Sequence, residues 1–196
     1  MSNVGFIWTE GELKKTLLDV LPDNGPLKLL IIGKTPAPVS VETSHYFQGR
    51  SGKKFWNLLK KYHILKDTES LSLPPDTFED DILSLQNYGI TDIVKDSHEP
   101  GSEPLKHEYL SGWARVETII ETHKPEIILF PYKGALDKIL RFQYERKEKA
   151  EYGFNQDLES IFGRKVFAMP LPGVGGVTSE EIDRYMMDLQ RELQSG

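Results

Sequence analysis

Two stretches of this 196-residue chain concentrate residue types that could do chemistry. The first runs Gly33-Lys-Thr-Pro-Ala-Pro-Val-Ser-Val-Glu-Thr-Ser-His-Tyr-Phe-Gln-Gly49 and continues as Arg50-Ser-Gly-Lys-Lys-Phe-Trp56. The second is Met169-Pro-Leu-Pro-Gly-Val-Gly-Gly-Val177. Glycine and proline at this density let the backbone approach a ligand closely and fix unusual turns. Charge is uneven around them. Thr43 to Lys66 holds six basic residues (Arg50, Lys53, Lys54, Lys60, Lys61, Lys66) and no acid, whereas Asp67 to Pro104 holds ten acids against Lys95 alone. The formal net charge is −6, so the chain outside the basic stretch carries −12. Fields reach only about 8 Å at physiological salt, so a basic patch can attract phosphates beside an acidic body. A solvated helix face is the plainer reading of the same charges.

Other chemistries find no support. With no cysteine, a thiol nucleophile, a disulfide framework and a Cys-ligated metal are excluded. His63, His98, His107 and His123 show no HxH or HExxH spacing, so no metal is expected. Neither GxxxxGK[ST] nor GxGxxG occurs, and Gly173–Gly176 imitates the latter only weakly. Ser40, Ser44 and Ser51 lack the GxSxG elbow of serine hydrolases.

The elements that must position these stretches follow from hydrophobic pattern. Thr9 is a plausible N-cap for a helix to about Leu21, with Leu13, Leu17, Leu18 and Leu21 on one face. Leu27–Ile32 reads as a strand apolar on both faces, as parallel sheets require. A long polar loop from Gly33 to Gly49 follows, then a helix capped by Ser51 with Phe55, Trp56, Leu58, Leu59 and Tyr62 inward. Pro74-Pro75-Asp76 opens a short acidic helix to about Gln86. Ile90–Val94 and Glu126–Phe130 are strands, separated by a helix over Leu105–Thr122 that Pro125 stops. A helix over Gly134–Phe142, an exposed charged run through Glu145–Glu151, and a strand over Lys165–Met169 come next. Thr178-Ser-Glu-Glu181 is a capping box for a final helix. Strands alternating with helices predict an α/β fold: a three-layer α/β/α sandwich around a mostly parallel four-stranded sheet, in one domain spanning 1–196. Ligands of such sheets sit beyond the carboxyl ends of the strands, here in the loops after Ile32, Val94, Phe130 and Met169.

The sequence resembles the uracil-DNA glycosylase superfamily, nearest its mismatch-specific uracil/thymine branch. Leu29-Leu-Ile-Ile-Gly-Lys-Thr-Pro36 corresponds to the first motif, with Ser44-His-Tyr-Phe47 and Lys54-Phe-Trp56 behind it. Tyr88-Gly-Ile-Thr-Asp-Ile-Val94 matches the next strand segment, and Met169-Pro-Leu-Pro-Gly173 with Val177-Thr-Ser-Glu180 falls at the second motif. The resemblance implies a protein that enters DNA, flips a deaminated base from the stack and hydrolyses its N-glycosidic bond, without metal or cofactor. It implies Phe47 as the stacking aromatic, and Gly33, Lys34, Pro36 and Leu171 around the base. It further implies His45, Arg50, Lys53 and Lys54 on phosphates, and Val174, Gly175 and Gly176 as the loop entering the duplex.

Two positions depart from the pattern. Thr35 stands where that branch holds water with Asn, and Leu171 stands where the family commonly has Asn or His. A Thr hydroxyl is a poor general base at neutral pH, and Leu is none. Other branches draw the polar group from the following strand segment, which here is Asp92; a carboxylate there would orient water and stabilise the oxocarbenium-like cation, with Thr35 assisting. The plainer readings are Asp92 as a loop cap or lysine partner, Phe47 as a core aromatic, Lys34 as a simple exposed lysine, His45 as a hydrogen-bonding group of its own loop and Thr35 as a backbone-bonding hydroxyl. A damaged-DNA-binding member that has lost catalysis is the alternative function. The expected partner is DNA, duplex or single-stranded. No apolar run approaches the roughly 18 residues of a bilayer span, and the first residues lack a signal-peptide layout, so a cytoplasmic, nucleoid-associated protein without membrane contact is expected.

Overall fold

The computed structural model describes residues 3–9, 11–23, 25–99, 101–173 and 176–195. The chain opens with an antiparallel hairpin, β1 (Val4–Thr9) against β2 (Glu12–Leu17), paired from Val4↔Leu17 to Thr9↔Glu12. This corrects the expected helix over Thr9–Leu21. Gly11 takes φ +79, which a helix interior does not accommodate. Leu17 is buried while Leu18 is exposed, so the leucines never form one stripe.

The main sheet has the order β4-β3-β5-β7-β6. Strands β3 (Leu29–Gly33), β4 (Tyr88–Asp92), β5 (Ile127–Phe130) and β7 (Lys165–Ala168) run parallel, and β6 (Gly153–Phe154) closes one edge antiparallel to β7. Five strands therefore replace the four expected. A two-residue strand has no readable alternation, and Gly153 sits at φ +85 with Tyr185 packed where a Cβ would be. At the other edge, Val20 and Ile90 exchange two backbone hydrogen bonds and cover β4.

Alternation along each strand builds the three layers. Leu29, Ile31, Ile127, Leu129 and Phe167 point to one face, against Phe55, Trp56 and Leu59 of α2 (Arg50–Lys61) and Met186 and Leu189 of α6 (Ser179–Ser195), which follow α1 (Pro38–Thr43) and close the chain respectively. Leu30, Ile32, Ile128, Phe130 and Val166 point to the other, against Tyr109 and Trp113 of α3 (Lys106–His123) and Leu136 and Ile139 of α4 (Lys133–Gln143). A short α5 (Glu159–Phe162) adds Phe162 to this second core. Apolar positions on both faces of every central strand leave helices on both sides as the arrangement that buries them.

The expected loop between Gly33 and Gly49 contains α1, and the expected acidic helix ending at Gln86 resolves into two 3₁₀ turns, Glu79–Ile82 and Ser84–Gln86. Asp80 is the reason for the second change. Its carboxylate turns inward to accept hydrogen bonds from the Tyr46 amide (2.8 Å) and the Asn3 side chain (3.0 Å) and to pair with His45 Nδ1 (2.8 Å). Short acidic side chains that bond backbone in this way compete with regular helix. The Thr178–Glu181 capping box is present, with both reciprocal backbone-to-side-chain bonds formed.

Candidate active site

A cavity of about 750 Å³ lies at the carboxyl ends of the strands. The exit of β3 contributes Lys34 and Thr35, the exit of β5 Tyr132, and the exit of β7 Met169 and Leu171. The first turns of α2 and α4 also face it. Both helices begin without a side-chain cap (Gly49 and Tyr132 are the N-caps) and without an acid in the first turn. Their free backbone N–H groups and dipoles make this rim favourable to anions. A smaller cavity of about 370 Å³, lined by Lys28 and Tyr88, lies at the opposite ends of the strands.

Asp92 ends β4 directly beside Gly33, its register partner in β3. Residues 88, 90 and 92 share the α2 face of the sheet, so the carboxylate points toward the Phe47 loop. Gly33 makes room for it: a Cβ there would lie 2.0 Å from Asp92 Oδ1 and 3.2 Å from Phe47 Cζ. Asp92 is 1% exposed, and neither carboxylate oxygen has a hydrogen-bond partner. Burial pushes its pKa up to about 7; Asp19 pushes the same way, while Lys95 and Arg115 oppose it. Buried carboxylates are ordinarily hydrogen-bonded, and an orphaned one marks a place where another role outweighs stability.

Three charges, Asp19, Lys95 and Arg115, act on Asp92. Asp19 is the hub, accepting from Arg115 (2.6 Å), Lys95 (2.5 Å) and the Thr91 hydroxyl (2.5 Å). Arg115 also donates to the backbone carbonyl of Asp92. Lys95 reaches the Tyr46 hydroxyl at 3.0 Å, and burial lowers its own pKa. Burial and the Asp92 charge together raise the pKa of Tyr46 and of Tyr132, so both phenols stay protonated. Sequence reasoning missed Asp19, Lys95, Arg115, Tyr46 and Tyr132. One signal was available: Lys95 is the lone cation in a stretch of ten acids.

Phe47 lines the cavity with its ring edge-on to Phe55 (4.9 Å), Trp56 (5.8 Å) and Tyr132 (6.2 Å). Its backbone lies at φ +54, a conformation costing roughly 1–2 kcal/mol for a residue with a Cβ. Gly52 permits this, since a Cβ there would sit 2.1 Å from the Phe47 carbonyl oxygen. Thr35 lines the cavity while its hydroxyl donates to the Asp96 carbonyl at 2.7 Å. Lys34, also on the wall, is held by the Ser102 carbonyl (3.1 Å) and Glu103 (3.2 Å).

The basic stretch divides in two. Lys60 pairs with Glu79 (2.6 Å) and Lys61 with Asp183 (3.1 Å). Arg50, Lys53 and Lys54, at the cavity end of α2, are exposed and have no ion pair among the described residues. His45 is placed elsewhere. It is 7% exposed, stacked on Phe78 at 3.6 Å and paired with Asp80, so it stabilises the loop rather than facing a phosphate. Pro36 follows Thr35 and accepts a hydrogen bond from Ser97 through its carbonyl (3.0 Å). In the second-motif loop, Gly173 and Gly176 have φ +80 and +71; Val174 and Gly175 lie outside the described residues. Among the described residues, two groups of three metal-capable side chains occur, His45–Asp80–Asp81 and Asp96–His98–Glu108. In both, ion pairs already engage ligand atoms: His45 with Asp80 and His98 with Glu108 (3.4 Å) within the groups, and Asp96 with Lys14 (3.2 Å) from outside.

Residues 22–173 match the family model of the uracil DNA glycosylase superfamily. The chain belongs to that superfamily. A comparison with curated proteins found no match. The matched span begins before β3 and ends in the second-motif loop, so it contains the cavity, Asp92 and the Phe47 loop and leaves out the β1–β2 hairpin and α6. Glycosylase-like chemistry is thereby the function class to which the superfamily cavity must be fitted. Among the described residues, no helix is long and apolar enough to cross a membrane.

Proposed function

We propose that this superfamily member, acting as a single domain, removes a deaminated base, uracil or a close analogue, from DNA by hydrolysing its N-glycosidic bond. The observation that carries the reading is Asp92: a buried carboxylate with both oxygens unpartnered, set against Gly33 and Phe47 behind the cavity wall. Breaking an N-glycosidic bond builds positive charge on the sugar. A carboxylate stripped of solvent responds to that charge far more strongly than one in water, and its orientation requires no reorganisation during the reaction. The same carboxylate accepts a proton from the attacking water, for which a pKa near neutrality is suited. Thr35, on the cavity wall, has committed its proton to the Asp96 carbonyl, which leaves its oxygen as an acceptor to help hold this water.

Phe47 offers its ring to the extruded base, with Tyr132 beside it and Lys34 and Leu171 completing the walls; Pro36 is not on the wall and backs it through its bond to Ser97. Arg50, Lys53, Lys54 and the uncapped start of α2 grip phosphates flanking the flipped nucleotide. Val174, Gly175 and Gly176 form the segment that enters the stack. The protein would work in the cytoplasm on nucleoid DNA. A second reading, a damage-binding protein without catalysis, is favoured by Asp92 lying behind the cavity wall rather than on it.

A substrate panel tests the proposal. Excess protein is incubated with end-labelled duplexes carrying uracil, hypoxanthine or thymine opposite guanine, and with single-stranded uracil; abasic sites are then cut with alkali. The expected result is alkali-labile cleavage at uracil or hypoxanthine. Tight binding to all substrates with no cleavage of any would replace the enzyme with the binding protein.

A further inference from the structure

The β1–β2 hairpin is docked the wrong way round for a structural element. Its register pairs Phe6 with Lys15 and Trp8 with Leu13 on one face, and Gly5 with Thr16 and Ile7 with Lys14 on the other. The polar face is the one that meets the body. Thr16, buried, donates to the Lys95 carbonyl at 2.5 Å, and Lys14 pairs with Asp96 at 3.2 Å. Toward the turn the apolar face points outward, with Trp8 74% exposed, Phe6 65% and Leu13 61%, while Leu17 at the base of the same face is buried in the core. A hairpin normally buries its apolar face, and a contiguous exposed one marks an interaction surface.

We propose that this outer face stacks unpaired nucleotides of the DNA whose base the cavity receives; the inference rests on the glycosylase reading above. Two aromatic rings beside an exposed lysine, with no acid on that face among the described residues, match the chemistry that takes single-stranded nucleic acid: π-faces for bases and a cation for the phosphates. An apolar protein partner would gain nothing from Lys15. The position is also right. Asp96 holds Lys14 of the hairpin's inner face through its side chain and Thr35 of the cavity wall through its carbonyl, so one residue ties the hairpin to the cavity wall, with the aromatic face on the hairpin's far side. An intact duplex presents no base faces along its length, so the partner is a strand that is single or locally opened. The hairpin lies outside residues 22–173, the span matched by the superfamily.

Fluorescence gives a direct readout, because Trp56 and Trp113 are buried and Trp8 is not. Wild type, Trp8→Ala, Phe6→Ala and Lys15→Ala are titrated with a uracil-free single strand and with the matching duplex, and sedimented without DNA. Circular dichroism and thermal melting check that each variant is folded. The single strand is expected to quench wild-type emission. Trp8→Ala or Phe6→Ala should weaken single-strand binding about 5- to 150-fold, the range of one lost base stack, and change duplex affinity less than about twofold. Unchanged single-strand affinity with no quenching would overturn the inference, as would a wild-type dimer that Trp8→Ala converts to monomer with DNA binding intact. Loss of this inference alone leaves duplex base release standing, whereas wild type that neither binds nor cleaves any DNA would remove the glycosylase reading as well.

Discussion

Replacing Asp92 by Asn should make the protein more stable as it makes it inactive, and the size of the gain depends on pH in a calculable way. In the folded protein Asp92 holds its proton up to about pH 7, against an ordinary value of 3.8. Between those values the native state binds a proton that the unfolded chain has released, so wild-type stability falls as pH rises through this window and levels off above it. A gap of about 3 pH units at about 1.4 kcal/mol each gives a cost of about 4 kcal/mol at alkaline pH. The Asn variant does not titrate there. Its unfolding free energy minus that of wild type should therefore climb by about 4 kcal/mol between pH 4 and pH 8. An unpartnered amide N–H lowers the whole difference by about 1–3 kcal/mol without altering its slope. Groups away from the site, such as the buried Asp80, titrate in both proteins and cancel. Urea unfolding at half-unit pH intervals reads the difference directly. A difference flat with pH, or one that falls as pH rises, would refute the burial of an uncompensated carboxylate.

In the proposed reaction the carboxylate form of Asp92 is the working one, so single-turnover base release should fall about tenfold per pH unit below about 7. Lys95→Met removes a cation that favours the charged form and should move that midpoint upward; an unmoved profile would count against the coupling. In Gly33→Ala the new methyl meets Asp92 Oδ1 and Phe47, so thermal melting should show a loss of about 1–3 kcal/mol and base release should drop about 100-fold; wild-type behaviour would show that Asp92 and Phe47 do not converge there. Lys53→Ala and Lys54→Ala should each reduce the slope of log affinity against log salt by about 1. Lys60→Ala and Lys61→Ala, whose partners are Glu79 and Asp183, should not.

The parallel core was readable because Leu29–Ile32 and Ile127–Phe130 are apolar at every position, a pattern that buried parallel strands demand and few other elements show. The hairpin was not, because Leu13, Leu17 and Leu21 also fit a helical period, and tertiary contact through Thr16 and Lys14 decided between the two. Gly11 and the alternating Phe6 and Trp8 were the clues on the other side. Within the site, Gly33 was legible as a strand exit, whereas Asp92 fell inside the expected strand Ile90–Val94 and in fact ends β4; their contact depends on a β3–β4 register that no local pattern states. Asp19 and Arg115 lie 73 and 23 positions from Asp92 in the chain, and only the fold brings their charges together. His45 shows the converse: its loop position left a phosphate contact and a hydrogen bond within the loop equally open, and a carboxylate 35 residues away captured its ring.

The most direct test of Asp92 as the catalytic group is single-turnover release of uracil from a labelled duplex by wild type, Asp92→Asn and Thr35→Ala side by side, each shown to be folded and to bind the duplex. Cleavage by wild type, its loss in Asp92→Asn and a smaller decrease in Thr35→Ala are the expected results. Wild-type rates retained by Asp92→Asn would contradict it and transfer the chemistry to another residue of the cavity.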